Sequence, residues 1–282
     1  MSGKNNQDGP LVSVVIPVHN RAGSVKKAVD SVLGQTFEDF ELIVVDDGSS
    51  DGANAALSEY QDRLILIRQS HQGVSAARNK GIHHSRGRLI AFLDSDDYWL
   101  PEKLAVQTAF FEENPEAMIC QTEEVWLRDG RRVNPGRRHR KPSGEAFSRS
   151  LKLCLISPSA VMLRSGLLSE VGLFDESLPA CEDYDLWLRV AARHPVHLVD
   201  RPLVIKTGGH KDQLSRTTVG LDKYRVASLL KILSSDWLSP EQTRAARAEL
   251  AAKARVYGQG CLKRGRREEG EYHLRLARES EA

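Results

Sequence analysis

Short apolar runs rich in β-branched residues recur through the first hundred residues. Each is closed by a polar cluster, and stretches with helical spacing separate most of them. Leu11 to Ile16 is the first run, closed by Pro17, and reads as a buried strand. Val25, Ala28, Val29, Val32 and Leu33 then fall on one helical face, and Gly34 ends that helix. Strands follow at Glu41 to Val45, Leu64 to Ile67 and Leu89 to Leu93, with a helix near Val74 to His84 before the last. Strands separated by helices of this length predict βαβ units. The fold class is therefore α/β, with a mostly parallel central sheet flanked by helices.

The pattern changes after about residue 115. Met118 to Leu127 and Arg131 to Val133 flank Asp129-Gly130, a hairpin turn pair. Residues 128–141 hold seven Lys or Arg against one acid and read as a solvated loop. Ser159 to Leu163 predicts a strand, Asp183 to Arg193 a helix, and Val196 to Ile205 one or two strands. From about Leu221 the chain reads as helical. Ser239-Pro240 starts one helix, and Gly258, Gly260 and Gly265 suggest a break before the last. The expected organisation is a flexible 1–10, a main domain over 11–218 with halves 11–115 and 116–218, and a helical C-terminal extension over 219–282.

Charge narrows the function classes. Lys and Arg total 40 against 38 Asp and Glu, a net charge of +2, which excludes binding of nucleic acid or membrane by bulk charge alone. The four cysteines form no C-x-x-C pair, so neither a disulfide framework nor a structural zinc site is expected. The polar first ten residues do not read as a secretory signal, and no apolar run is long enough to span a bilayer. The expectation is a cytoplasmic protein, at most peripheral to a membrane.

In an open parallel sheet, ligands bind beyond the carboxyl ends of the strands. Three polar clusters fall there: His19-Asn-Arg21, Asp46-Asp47 and Asp94-Ser-Asp96. A single Asp after a strand is usually a turn residue. Carboxylates at successive strand ends instead form a rim suited to a divalent cation and a nucleotide.

Val14-Val-Ile-Pro-Val-His-Asn20, Gln35-Thr-Phe37, Glu41-Leu-Ile-Val-Val-Asp-Asp-Gly-Ser49, Gly73-Val-Ser-Ala-Ala-Arg-Asn79 and Phe92-Leu-Asp-Ser-Asp-Asp97 with Pro101 occur in that order. Together they resemble the family 2 glycosyltransferases, over roughly residues 11 to 215. The resemblance implies a GT-A type nucleotide-binding fold, a nucleotide-diphosphate sugar donor, and inverting transfer in polysaccharide, lipopolysaccharide or glycolipid synthesis. It implies that Pro17, His19 and Arg21 wall the donor base and ribose. By the same resemblance Asp47 meets the base beside Asp46, Arg78 approaches the nucleotide, and Ser95 belongs to the donor site. Asp94 and Asp96 match the D-x-D. Asp96 would ligate Mg²⁺ or Mn²⁺, and Asp94 would contact the ribose or the metal shell.

Glu182-Asp183-Tyr-Asp-Leu-Trp-Leu188 resembles the family's second acidic motif, with Asp183 as the general base and Glu182 beside it. A sugar hydroxyl is a poor nucleophile until its proton is being removed. Both acids also suit a helix N-terminus by charge alone. Trp187 reads as core. The glycines of Gly208-Gly-His-Lys-Asp-Gln-Leu-Ser-Arg216 suit a mobile lid, and the resemblance implies that His210 would meet the metal or the diphosphate. The basic loop 128–141 is a candidate contact for an anionic lipid-linked acceptor or a membrane surface, and the C-terminal helices are a candidate dimer surface. Gly258-Gln-Gly260 lacks the preceding strand of a dinucleotide fingerprint, and Ser157-Pro-Ser159 lacks a triad. Two other readings stand beside this one: a sugar nucleotidyltransferase and a non-catalytic nucleotide-sugar-binding module.

Overall fold

A computed structural model describes residues 9–134, 136–209 and 220–281. The first half is β1 (Val12–Val18), α1 (Val25–Leu33), β2 (Phe40–Asp47), α2 (Ala53–Leu57), β3 (Ile65–Gln69), α3 (Val74–His84) and β4 (Leu89–Phe92). These strands pair in parallel in the order β3-β2-β1-β4, so their carboxyl ends share one edge. β1 alternates cleanly. Val12, Val14, Ile16 and Val18 enter the core beneath α1 and α2, while Val15 enters the opposite core. A sheet buried on both faces needs the continuous apolar runs seen in the sequence.

β5 (Tyr98–Trp99), α4 (Lys103–Glu113), β6 (Ile119–Arg128), β7 (Arg131–Val133), α5 (Phe147–Ser150), β8 (Val161–Arg164), α6 (Ser165–Val171), α7 (Glu182–Arg193) and β9 (His197–Gly208) form the second half. Here the sheet is mixed. β8 lies antiparallel between β4 and β6, β9 runs parallel to β6, and β5 is antiparallel to β9. Parallel strands therefore dominate only the first half. The stretch from Val196 to Ile205 resolves as the single strand β9. Its pairing with β6 shifts register near Thr122 to Glu124.

Two close approaches set the helix positions. A Cβ on Gly81 of α3 would lie 2.3 Å from Val15 Cγ1, so only glycine lets α3 settle onto β1. The C-terminal helices are α8 (Asp222–Leu233), α9 (Pro240–Lys263) and α10 (Arg267–Glu281). The expected break at Gly258 and Gly260 does not occur, because α9 runs straight through both. Gly258 instead meets Gly270 of α10, where a Cβ would lie 2.9 Å from the Gly270 carbonyl oxygen. The turn falls at Gly265, with φ +75°. Ser239 and Gln242 close a capping box at the start of α9. Val226, Leu229, Ala246, Leu250, Ala254 and Ala277 join the same core as Leu186, Trp187 and Val190 of α7. The C-terminal helices thus pack over α5 and α7 and brace α7.

Candidate active site

The polar rim lies at the carboxyl ends of β1, β2 and β4, and the N-terminus of α7 approaches it from the second half. Its centre is Arg78, on the third position of α3 after Ser75 and buried. Its two terminal nitrogens donate to Asp94 Oδ1 and to Glu182 Oε1, each at 2.7 Å. One guanidinium therefore joins the D-x-D to the second acidic motif, reaching Glu182 across 104 residues of chain. Its Nε has no partner, and the Phe174 ring packs on its carbon at 5.0 Å. Arg78 points inward to these acids.

Lys206, half-buried near the end of β9, is a second cation at the rim. Its Nζ donates to Ser157 Oγ at 2.9 Å. Burial disfavours its charge, but Glu124, Asp97, Asp94 and Asp183 outweigh that and hold it protonated. Asp94 and Asp183 thus share the field of one cation. Asp183 opens α7 with its Oδ1 accepting from the Tyr184 N–H at 2.7 Å. The Cys154 thiol is pushed well up by burial and then by the neighbouring Asp183 charge. Cys181, directly before Glu182, adopts φ +63°, a conformation that L-residues rarely take outside constrained sites.

The D-x-D acids differ in their surroundings. Burial pushes the Asp94 carboxyl up, yet Arg78 and Lys206 overcome this and hold it below the usual carboxylate range. Asp96 moves the other way. Burial and then the Asp94 charge raise it, with Arg21 partly offsetting. Asp97 is tied down: Ser159 Oγ donates to it at 2.7 Å and the Thr207 N–H at 2.8 Å. Burial pushes its carboxyl well above the usual range despite Lys206. Ser95 is buried between these acids. The half-buried Asp96 carboxylate, beside Asp94, offers the hard oxygen ligand type that Mg²⁺ or Mn²⁺ prefers. His210 lies outside the described residues, as do Lys211 and Arg216.

On the other flank the loop after β1 is laced to the loop after β2. Pro17 is the penultimate residue of β1. His19 Nδ1 lies 2.7 Å from the Asp47 carbonyl oxygen, and Ser50 N–H donates to Asn20 Oδ1 at 2.8 Å. Arg21 follows on this loop. Asp46 accepts from the Ser49 N–H at 3.0 Å. Asp47 accepts from Gln69 Nε2, the Gln72 N–H, His71 Nδ1 and the Gly73 N–H, all within 2.7–2.9 Å. Four donors fill the lone pairs of a carboxylate, so Asp47 here shapes the 69–73 loop. His71 stacks on His19 with ring centroids 3.9 Å apart and planes at 24°.

His19, Asp47 and His71 place three ligand-type atoms within 4.8 Å of one another. The arrangement does not suit a metal. Stacked rings keep their in-plane lone pairs in two near-parallel planes 3.9 Å apart at the centroids, a poor start for the convergence that tetrahedral coordination needs. The Asp47 oxygens are already occupied.

Sequence reasoning placed Asp94, Asp96, Glu182 and Asp183 at strand and helix ends, and the structure brings Asp94 and Glu182 onto one guanidinium. It missed Lys206 and His71. The Ile205-Lys206-Thr207 step, a lysine inside an apolar strand, was the available signal for Lys206. Ser157 and Ser159 support Lys206 and Asp97 and have no nucleophile geometry. Trp187 is core, with 1% of its surface exposed.

The sequence model described as glycosyl transferase family 2 matches residues 13–172. The chain belongs to that family. An uncharacterized glycosyltransferase of Rickettsia typhi is 32% identical over 227 residues, covering 78% of this chain and 71% of that one. An Escherichia coli UDP-Glc:alpha-D-GlcNAc-diphosphoundecaprenol beta-1,3-glucosyltransferase is 29% identical over 77% of this chain and 83% of that one. Some relatives are much longer: the chain spans 35% of a Rickettsia felis glycosyltransferase that it matches at 32% identity. Among solved structures, Staphylococcus aureus TarS 1–349 in complex with UDP-GlcNAc superposes with a TM-score of 0.74 at 21% identity, over 94% of this chain and 79% of that one. A Pyrobaculum calidifontis mannosyltransferase in complex with GDP-Man and Mn²⁺ gives 0.64 at 17% identity, over 99% and 76%. These superpositions establish the GT-A type fold. Among the described residues no helix is long and apolar enough to cross a membrane.

Proposed function

We propose that the chain transfers a sugar from a nucleotide-diphosphate donor to a hydroxyl of a glycan or lipid-linked acceptor, with inversion. The observation that carries this reading is the Arg78 bridge between Asp94 and Glu182, together with Lys206 in the shared field of Asp94 and Asp183. Acids from the two halves of the chain thereby line one rim. The reading divides the work between a donor half, 11–115, and an acceptor half, 116–218, with 219–282 bracing α7. The relatives that use UDP-glucose and the neighbours solved with UDP-GlcNAc or GDP-Man and Mn²⁺ support a nucleotide-sugar donor and a divalent cation.

In this reading Asp94 and Asp96 hold a divalent cation, Mg²⁺ or Mn²⁺. Such a cation neutralises the negative charge that gathers on a diphosphate leaving group. Pro17, His19, Arg21 and the Asp47-held loop wall the base and ribose. Asp183 removes the proton of the acceptor hydroxyl as that oxygen attacks the anomeric carbon from the face opposite the diphosphate. The two electrons of the broken glycosidic bond leave with the diphosphate. Glu182, tied to Arg78, fixes the entry of α7 and so the aim of Asp183. Arg78 also holds Asp94 ionised. A cytoplasmic setting, at the inner face of a membrane, fits a nucleotide-sugar donor and a lipid-linked acceptor.

The test is a transfer assay with UDP- and GDP-sugars, Mn²⁺ and a sugar-diphosphate lipid acceptor, with the product's anomeric configuration read by NMR. Inverted product with release of nucleoside diphosphate is expected. Retained configuration, or pyrophosphate release from sugar-1-phosphate and NTP, would overturn the reading.

A further inference from the structure

The β6–β7 hairpin and the turn after it expose Arg128, Arg131, Arg132, Arg137, Arg138 and Arg140. Asp129 is the only acid among residues 128–140. Elsewhere exposed arginines find partners, as Arg193 does with Glu170 and Arg267 with Glu271. Among the described residues no carboxylate pairs with Arg131, Arg132, Arg137 or Arg140. So dense an array repels itself, and a negatively charged surface would relieve that repulsion.

The run is held in place. Lys141, at its end, is buried, with Nζ 3.2 Å from both Glu124 Oε1 and Gln121 Oε1. His139 packs edge-on against Trp126 of β6 at 5.3 Å. The arginines are left facing solvent, with Asp129 the one exposed acid among them. The hairpin also extends the strands that close the active rim. Arg128 pairs with Gly208, and the preceding Thr207 donates its N–H to Asp97. A pocket for one phosphate would draw its donors to a point, but these arginines are spread along both strands of a hairpin and a turn. That distribution matches a sheet of negative charge.

We infer that residues 128–140 seat the protein on an anionic membrane surface, with the acidic rim beside the bilayer, where a lipid-linked acceptor would present its sugar. Vesicle binding does not depend on the transferase reading. Only the role of the docked state rests on it.

The test is co-sedimentation of the full chain with phosphatidylcholine vesicles, with and without about 30 mol % phosphatidylglycerol. It is repeated with a variant carrying Arg131→Glu, Arg132→Glu, Arg137→Glu and Arg138→Glu. The wild type is expected on anionic vesicles only, with release at about 0.5 M salt. Each arginine near the surface contributes about fivefold, so the variant should partition at least about 100-fold less. The melting shift with UDP and Mn²⁺ should be the same in both proteins, which separates this result from failure of the donor site. Transfer to a soluble short-chain acceptor should also be equal, while transfer to a vesicle-embedded acceptor should fall in the variant. Equal vesicle binding by both proteins, or no binding by the wild type, would overturn the inference. So would an equal loss of transfer to soluble and embedded acceptors, which would place the arginines on the acceptor's own phosphates.

Discussion

Replacing Arg78 by Met removes a charge and keeps the stem. Two carboxylates then lose a shared cation. The Glu182 side chain is 7% exposed and that of Asp94 26%, with Arg78 itself at 4%. Removing one member of a buried pair costs about 3–5 kcal/mol, because the other charge is left without compensation. Asp94 keeps Lys206 and some solvent, so most of the loss falls on Glu182. The expected destabilisation at neutral pH is about 3 kcal/mol.

The loss should depend on pH in a defined direction. Burial and Asp183 already raise the Glu182 carboxyl, and Arg78 opposes them. Without Arg78, Glu182 moves further above its ordinary value of 4.5. A raised carboxyl stabilises the fold below its unfolded value, and that contribution is lost as pH rises through its folded value. The gap between variant and wild type should therefore widen from about pH 5 to about pH 8. Urea unfolding followed by tryptophan fluorescence reads this directly, with the slope in denaturant unchanged. A loss under about 1 kcal/mol, or one equal at both pH values, would refute the reasoning.

Three further outcomes are expected. Lys103 is fully buried, with Nζ 2.5 Å from Gln107 Oε1, and burial holds it at about 7 against an ordinary 10.5. Between those values the unfolded chain carries a proton that the folded chain lacks. Stability therefore rises with pH by up to about 1.4 kcal/mol per unit across that window, and Lys103→Met should flatten the slope in urea melts. Asp47→Ala frees four donors of the 69–73 loop, so it should cost about 3 kcal/mol and weaken nucleoside diphosphate binding by calorimetry, and wild-type affinity would count against a loop-shaping role. Chelation with EDTA should abolish transfer, and added Mn²⁺ should restore it, whereas unchanged turnover would remove the cation from the account.

The donor rim was legible because each acid follows an apolar run whose period marks it as a strand, and parallel strands bring their ends together. The resemblance added Asp183 by its motif. The ties between the halves were not legible. Arg78 meets Glu182 from 104 residues away, and Thr207 meets Asp97 from 110. No local pattern encodes such distances. Asp47 was legible as a turn acid after β2, but its four donors come from a loop that periodicity leaves blank. Gly258 misled because glycine breaks isolated helices, whereas here it admits the backbone of α10. Lys103 and Gln107, one helical turn apart, carry no local signal of burial, yet both are buried, with Gln107 meeting Cys120 of β6 and the carbonyl of Ala160.

In the proposed reaction Asp183 acts on an acceptor facing a donor held at Asp94 and Asp96. Asp183→Asn, compared with the wild type for transfer rate and for UDP–Mn²⁺ affinity, tests this arrangement. Unchanged affinity is expected, with the rate down by about 10²–10⁴. A wild-type rate in the variant would contradict it.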